Sequence, residues 1–115
     1  DATADMISAT WFKAGADHPY HPICRASGTG ITAATAIAAV KAIMPWNVEE
    51  RLGEVEMPTL LICGDEDRST PPNESYALWK GIAGSQLSVV PGCPHNVHLE
   101  KPDLFNHIVG DFLLA

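Results

Sequence analysis

The sequence predicts an α/β fold in which two parallel strands are joined by a crossover helix and followed by another helix, and three observations carry this prediction. Met57-Pro58-Thr59-Leu60-Leu61-Ile62-Cys63-Gly64 is a short apolar run opened by proline and closed by glycine. It reads as a strand buried on both faces, the kind found in parallel sheets. Residues 86–90, Gln-Leu-Ser-Val-Val, form a second and shorter run with some alternation. Segments with helical start and stop signals lie between these runs and after them, so the order from Pro58 is strand, helix, strand, helix. That order calls for parallel strands and a right-handed crossover.

Residues 4–14 can wind as a helix, with Met6, Ile7, Thr10 and Trp11 at three-to-four spacing. The prolines of Gly15-Ala16-Asp17-His18-Pro19-Tyr20-His21-Pro22 are expected to break it into an irregular loop, because proline drives its predecessor out of the α region. Ser27-Gly28-Thr29-Gly30 is a second loop signal. Residues 31–44 are rich in alanine, with Ile37, Val40, Lys41 and Met44 at helical spacing, and Pro45 stops the run. Asn47 is placed to cap a short helix over residues 48–53. Beyond the first strand, Asn73 is placed to cap a helix over 74–80 that ends near Gly81 or Gly84. A loop over 91–100 follows the second strand. Pro102 then opens a last helix whose Leu104, Phe105, Ile108, Val109, Phe112 and Leu113 form an apolar stripe.

With 46% hydrophobic and 18% charged residues, the 115-residue chain has the composition of an ordinary globular domain. A domain of this size has a shallow core. Fourteen acidic against seven basic residues give a formal charge of -7, and the basic residues are scattered singly, which argues against a nucleic-acid partner. Cys24, Cys63 and Cys93 are an odd set with no C-x-x-C pair, so neither a disulfide framework nor a zinc ribbon is expected, and a reducing cytoplasm fits. The 31–44 stretch holds Thr32, Thr35 and Lys41 and falls short of the roughly 20 apolar residues of a membrane span. No membrane association is expected. The chain opens Asp1-Ala2-Thr3, without an initiating Met or a signal-like segment, so its start reads as a cut.

Reacting groups in an open parallel sheet gather beyond the carboxyl ends of the strands. Two loops occupy those positions, residues 64–72 and residues 91–102. Asp67 in the first and His95 in the second are 28 residues apart, a separation filled by one loop, one helix and one strand. Both should therefore lie at the same rim of the sheet. A carboxylate beside an imidazole sets its tautomer and stabilises the imidazolium that forms when it takes a proton from a serine, a cysteine or an activated water. The pair makes two thirds of a catalytic triad, expected at about 2.6–3.2 Å.

The other polar residues have plainer readings. Asp67 alone would be a turn residue, and its pairing with His95 is what raises it. Asp65 and Glu66 read as solvated loop charges, with Asp65 the second choice for the acid. His98 reads as a packing or loop histidine on the far side of an extended segment, and Glu100 as a cap of the final helix. His18, His21 and Cys24 have ligand-like spacing but lack a fourth ligand, so no metal is expected. Gly28-Thr29-Gly30 lacks the preceding strand and third glycine of a dinucleotide loop, so it reads as a hinge and no cofactor is expected. Trp11, Trp46 and Trp79 read as packing groups. Cys93, two residues before His95 on one loop, is poorly placed to face it as a nucleophile.

Taken as a set, Gly64-Asp65-Glu66-Asp67 at a strand end, Pro91-Gly92-Cys93-Pro94-His95 one crossover later, and the trailing Glu100 and Pro102 resemble the last third of the α/β-hydrolase fold, over roughly residues 46–115. The resemblance implies Asp67 as the catalytic acid, His95 as the catalytic base, and residues 1–45 as a lid-like helical segment ahead of a 46–115 core portion. Two departures stand out. Pro94 replaces the usual glycine before the histidine, fixing φ and removing an amide, so His95 is expected to be aimed somewhat differently. No G-x-S-x-G occurs: Ser8, Ser27, Ser69, Ser75, Ser85 and Ser88 all lack the flanking glycines. In the family's order the nucleophile precedes the acid, so it is expected upstream of residue 1, with the oxyanion-hole amides. The implied function is hydrolysis of small-molecule esters, lactones or carbon-carbon bonds beside carbonyls, with the chain inactive alone. The other class of reading is a non-catalytic module that self-associates through a sheet edge. On either reading, an open edge on the 58–63 strand favours a homo-oligomer or association with a missing N-terminal half.

Overall fold

The sheet consists of β1 (Leu60–Gly64) and β2 (Gln86–Val90), parallel, in a register that runs from Leu60 opposite Gln86 to Gly64 opposite Val90. The computed structural model describes residues 2–115; the expectation placed on Asp1 lies outside the described residues. β1 starts later than the apolar run because Pro58 has no amide to give a ladder; Thr59 still accepts the Gln86 amide at 2.9 Å through its carbonyl. In chain order the helices are α1 (Ala2–Ala9), α2 (His21–Ser27), α3 (Ala33–Ile43), α4 (Pro72–Gly81), α5 (Val97–Glu100) and α6 (Pro102–Leu114), with 3-10 turns at Gly15–Asp17 and Glu49–Glu54. None of the described helices is long and apolar enough to cross a membrane.

Several boundaries differ from expectation for local reasons. α1 stops at Ala9, and the next amides tighten to i−3 bonds, Trp11 to Ser8 and Phe12 to Ala9, before Gly15 turns the chain at φ 59°. The proline-rich segment is not an irregular loop throughout. Pro22 falls in the first turn of α2, where its missing amide would have had no helical partner. Asn73 does not cap α4; the helix begins at Pro72, pre-set in φ, and the Asn73 side-chain Nδ2 instead donates to Glu74 Oε1 at 3.2 Å. Asn47 is not the cap residue: the turn is 3-10 rather than α and starts from Val48 without a side-chain cap, while the Asn47 side chain, one residue earlier, accepts the Glu49 amide at 2.8 Å.

The core lies on the face of the sheet that α6 covers. Val90, Cys93 and Val97 are almost fully buried there, and Ile62, Phe105 and Ile108 pack against them. That uses one side of the predicted α6 stripe, whereas Leu104 and Leu113 point outward. α4 packs against both strands and against the Glu49–Glu54 turn, with Ile82 and Leu52 buried. β1 is not buried on both faces: Leu60, Leu61 and Ile62 are half-buried, and only Cys63 and Gly64 are closed off. The reason is that a sheet of two strands leaves β1 without a neighbour on its far side among the described residues. α3 stands clear of everything else. Thr32 caps it by accepting the Thr35 amide at 3.2 Å, yet every residue from 29 to 47 is exposed. This arm raises the radius of gyration to 16.0 Å, against about 13 Å for a compact chain of this length.

Candidate active site

Both loops leave the carboxyl ends of neighbouring strands, and backbone bonds stitch them together. The Asp65 amide donates to the Val90 carbonyl at 3.1 Å, the Glu66 amide to the Cys93 carbonyl at 3.1 Å, and the Cys93 amide to Asp65 Oδ1 at 3.2 Å. Gly64 makes this approach possible. A Cβ at that position would overlap the carbonyl oxygens of Cys93 and Pro94 and come within 2.6 Å of the Cys93 carbonyl carbon. Asp65 is thus exposed, as a loop charge, and also ties the two loops together.

Asp67 is buried, at 6% exposure, and all of its bonding capacity is directed. Its Oδ1 accepts the amides of Ser69 at 2.8 Å and Thr70 at 3.0 Å, forming a side-chain-closed turn. Its Oδ2 accepts the Thr70 hydroxyl at 3.0 Å and faces His95 Nδ1 at 2.8 Å. Burial pushes the Asp67 carboxyl upward, but the bonds from His95, Thr70 and Ser69 outweigh it and hold the group below the usual aspartate range. An ionised Asp67 accepts the proton on Nδ1, which leaves Nε2 as the basic nitrogen. The His95 side chain is 32% exposed and Nε2 has no hydrogen-bond partner among the described residues. Pro94 has not turned the imidazole away: buried as it is, it holds a loop in which the pair reaches full hydrogen-bonding distance.

A second segment, residues 10–13, lies over these loops. Trp11 packs beside the pair: its ring centroid lies 5.8 Å from that of His95. The Asn96 amide donates to the Trp11 carbonyl at 3.2 Å, and Lys13 Nζ pairs with Glu66 at 3.0 Å. An open groove of about 670 Å³ runs beside Asp67, between Thr10, Phe12 and Lys13 on one wall and the 65–69 loop on the other. No periodicity or motif signals these contacts, because they join segments more than fifty residues apart in sequence.

The remaining candidates are dispersed. Glu100 does not cap α6, which starts without a side-chain cap; its Oε1 takes the Lys13 amide at 2.6 Å. His98 sits on the helical turn α5 rather than on an extended segment, with its ring 5.9 Å from Phe105. Trp46 is 68% exposed, at the edge of a groove it lines with Leu52 and Leu78, and Trp79 meets Tyr76 edge-on at 6.3 Å. Cys93 is fully buried, and burial chiefly, with Glu100 adding, pushes its thiol upward. His18 stacks on Phe12 at 4.1 Å, His21 bonds Ser8 Oγ at 3.0 Å, and Cys24 Sγ accepts from Asn96 at 3.7 Å, so the three point to different neighbours. No three His, Cys, Asp or Glu side chains among the described residues are grouped to hold a metal ion.

Comparison with known proteins agrees with this architecture. The sequence profile of the alpha/beta hydrolase fold matches residues 7–102. Over 63 residues the chain is 43% identical to a 2-hydroxy-6-oxononadienedioate/2-hydroxy-6-oxononatrienedioate hydrolase from Klebsiella pneumoniae, an alignment covering 55% of this chain and 22% of that protein. Over 68 residues it is 40% identical to a 2-hydroxy-6-oxo-6-phenylhexa-2,4-dienoate hydrolase from Comamonas testosteroni, covering 59% and 24%. Among solved structures, a hydrolase from Pseudomonas aeruginosa superposes on 99% of the chain and 44% of its own length, with a TM-score of 0.85 and 25% identity. A bromoperoxidase from Bacillus anthracis, at TM-score 0.87 and 21% identity, shares the fold alone. The chain belongs to the α/β-hydrolase fold family. It matches under a quarter of the length of these curated relatives and under half of the solved ones, and what it carries of the fold is a two-strand parallel portion with its helices.

Proposed function

We propose that the chain supplies the acid and the base of a hydrolase active site, Asp67 and His95, and that residues 1–45 act as its lid. The observation that carries this reading is the 2.8 Å contact between a buried carboxylate and Nδ1 of an imidazole whose Nε2 has no partner among the described residues. A serine from sequence flanking these 115 residues is the proposed nucleophile, since no G-x-S-x-G occurs and no serine or cysteine is bonded to His95 among the described residues. Nε2 takes the nucleophile's proton as its oxygen bonds to the substrate carbonyl carbon; the imidazolium, stabilised by Asp67, returns that proton to the leaving atom as the carbonyl carbon's bond to it breaks. Water then repeats the sequence on the acyl intermediate and frees an acid.

The curated relatives' names favour a carbon-carbon bond beside a ketone, in a 2-hydroxy-6-oxo dienoate, over a simple ester. The test assays the full-length protein on 2-hydroxy-6-oxo-6-phenylhexa-2,4-dienoate and on p-nitrophenyl acetate. The dienoate should turn over faster, and His95→Ala should lower kcat by roughly 10³-fold or more. Turnover that survives His95→Ala would overturn the assignment. Residues 1–115 alone should give only the slow background of an exposed imidazole.

A further inference from the structure

We infer that Glu100 is a positioning residue for His95, acting through residues 11–13, which it clamps so that the Trp11 ring lies against the imidazole. The inference rests on the reading of His95 as the base. Lys13 lies in a turn where its own amide has no backbone partner among the described residues, and Glu100 Oε1, 87 residues away, accepts that amide at 2.6 Å. A carboxylate on an amide is a charge-assisted bond, stronger than a neutral one. Glu100 is mostly buried, at 13% side-chain exposure; His18 Nε2 stands 4.0 Å from it, and Lys13 and the Cys93 thiol also feel its charge. The second end of the clamp is the amide of Asn96, the residue next to His95, which donates to the Trp11 carbonyl at 3.2 Å.

Between these two bonds the backbone of 11–13 has little freedom, and the indole is held 5.8 Å from the imidazole with the planes tilted by 41°. His95 is then restrained at two places: Asp67 holds Nδ1, with Thr70 Oγ1 3.4 Å away, and Trp11 flanks the ring. The centroid distance is inside the reach of a cation–aromatic attraction, so the ring also favours the imidazolium that forms during proton transfer. Glu100 touches no reacting atom. Its effect passes through the Lys13 amide and the peptide that carries Trp11.

The experiment uses the full-length protein with Glu100→Ala, Glu100→Gln and Trp11→Phe, measuring kcat, KM, Tm and tryptophan emission against pH. The emission that Trp11→Phe removes reports Trp11, and a neighbouring imidazolium quenches it, so its titration should vanish in His95→Ala. Glu100→Ala should lower kcat on the order of tenfold, a modest misplacement effect, leave KM nearly unchanged, and remove the titration. Glu100→Gln keeps a carbonyl for the Lys13 amide and should restore both. A Glu100→Ala protein that keeps wild-type kcat and titration, or a Glu100→Gln protein as impaired as Glu100→Ala, overturns the inference. If Glu100→Ala does not fold, Trp11→Leu decides: loss of kcat at unchanged KM supports the clamp, and wild-type kcat overturns it. The emission readout needs no turnover, so loss of titration in both His95→Ala and Glu100→Ala in a protein that hydrolyses nothing would sink the proposed function and leave the clamp standing.

Discussion

Replacing Asp67 by asparagine should reverse the chemistry of the pair without moving it. Oδ1 of Asp67 is held by two backbone amides, from Ser69 at 2.8 Å and Thr70 at 3.0 Å, and a backbone donor cannot turn to accept. An asparagine must therefore keep its oxygen in that place and put its NH₂ where Oδ2 now stands, facing His95 Nδ1 and the Thr70 hydroxyl. The amide donates to Nδ1, the ring proton moves to Nε2, and the basic nitrogen is lost. A wrong tautomer in an Asp-His pair lowers kcat by about 10⁴-fold. At 1.36 kcal/mol per tenfold, this is about 5 kcal/mol of transition-state stabilisation. Native stability should fall by only about 1–3 kcal/mol, the scale of hydrogen bonds to a charged group. The assay is kcat of the full-length protein with thermal denaturation beside it, and imidazole ¹⁵N shifts to report the tautomer. An Asp67→Asn protein within tenfold of wild type, or with the proton still on Nδ1, refutes the reasoning.

Four more outcomes follow from the same geometry. Gly64→Ala should destabilise by about 2–3 kcal/mol or more, the range for overpacking against a rigid neighbour, because the clash is with the Cys93 backbone; an unchanged urea midpoint would contradict it. The depressed carboxyl of Asp67 contributes stability above the unfolded aspartate's pKa, about 3.9, and loses it as pH falls through the lower folded value. The stability gap between wild type and Asp67→Asn should then be full at pH 7 and close in acid, whereas a gap constant down to pH 2.5 would show that the charge plays no part. Cys93, fully buried with its thiol pushed upward, should resist iodoacetamide in the native state while the half-exposed Cys24 is labelled; mass spectrometry of the labelled peptides checks the order. Residues 1–115 produced alone should self-associate through the free edge of β1 or the apolar side of α3, where Ile37, Val40 and Ile43 are all more than half exposed. A monomer at every concentration in sedimentation would count against that.

Much of the fold was legible because its signals are local. β2 occupies residues 86–90 as its alternation indicates, β1 ends at the glycine that closes its apolar run, and α6 starts at Pro102. The Asp67–His95 pair was legible for a related reason: one helix and one strand separate the two loops, and a parallel crossover has only one rim on which to leave them. Where local rules competed, sequence reasoning chose wrongly. Pro22 was read as a breaker and opens a helix, Asn73 was read as a cap and lies inside α4, and the burial of β1 was overestimated because an apolar run does not say whether a neighbouring strand is present.

The sequence by itself determined the two strands, their connecting helix, and the acid and histidine placed at their ends, since periodicity, proline and glycine act within a few residues. Only the tertiary structure decided that residues 11–13 lie across the His95 loop. Trp11 meets the imidazole, Glu100 turns from its expected helix cap to the Lys13 amide, and α3 stands unpacked. Those outcomes depend on which distant backbone donor meets which acceptor once the chain is packed, and no short stretch of residues encodes that choice.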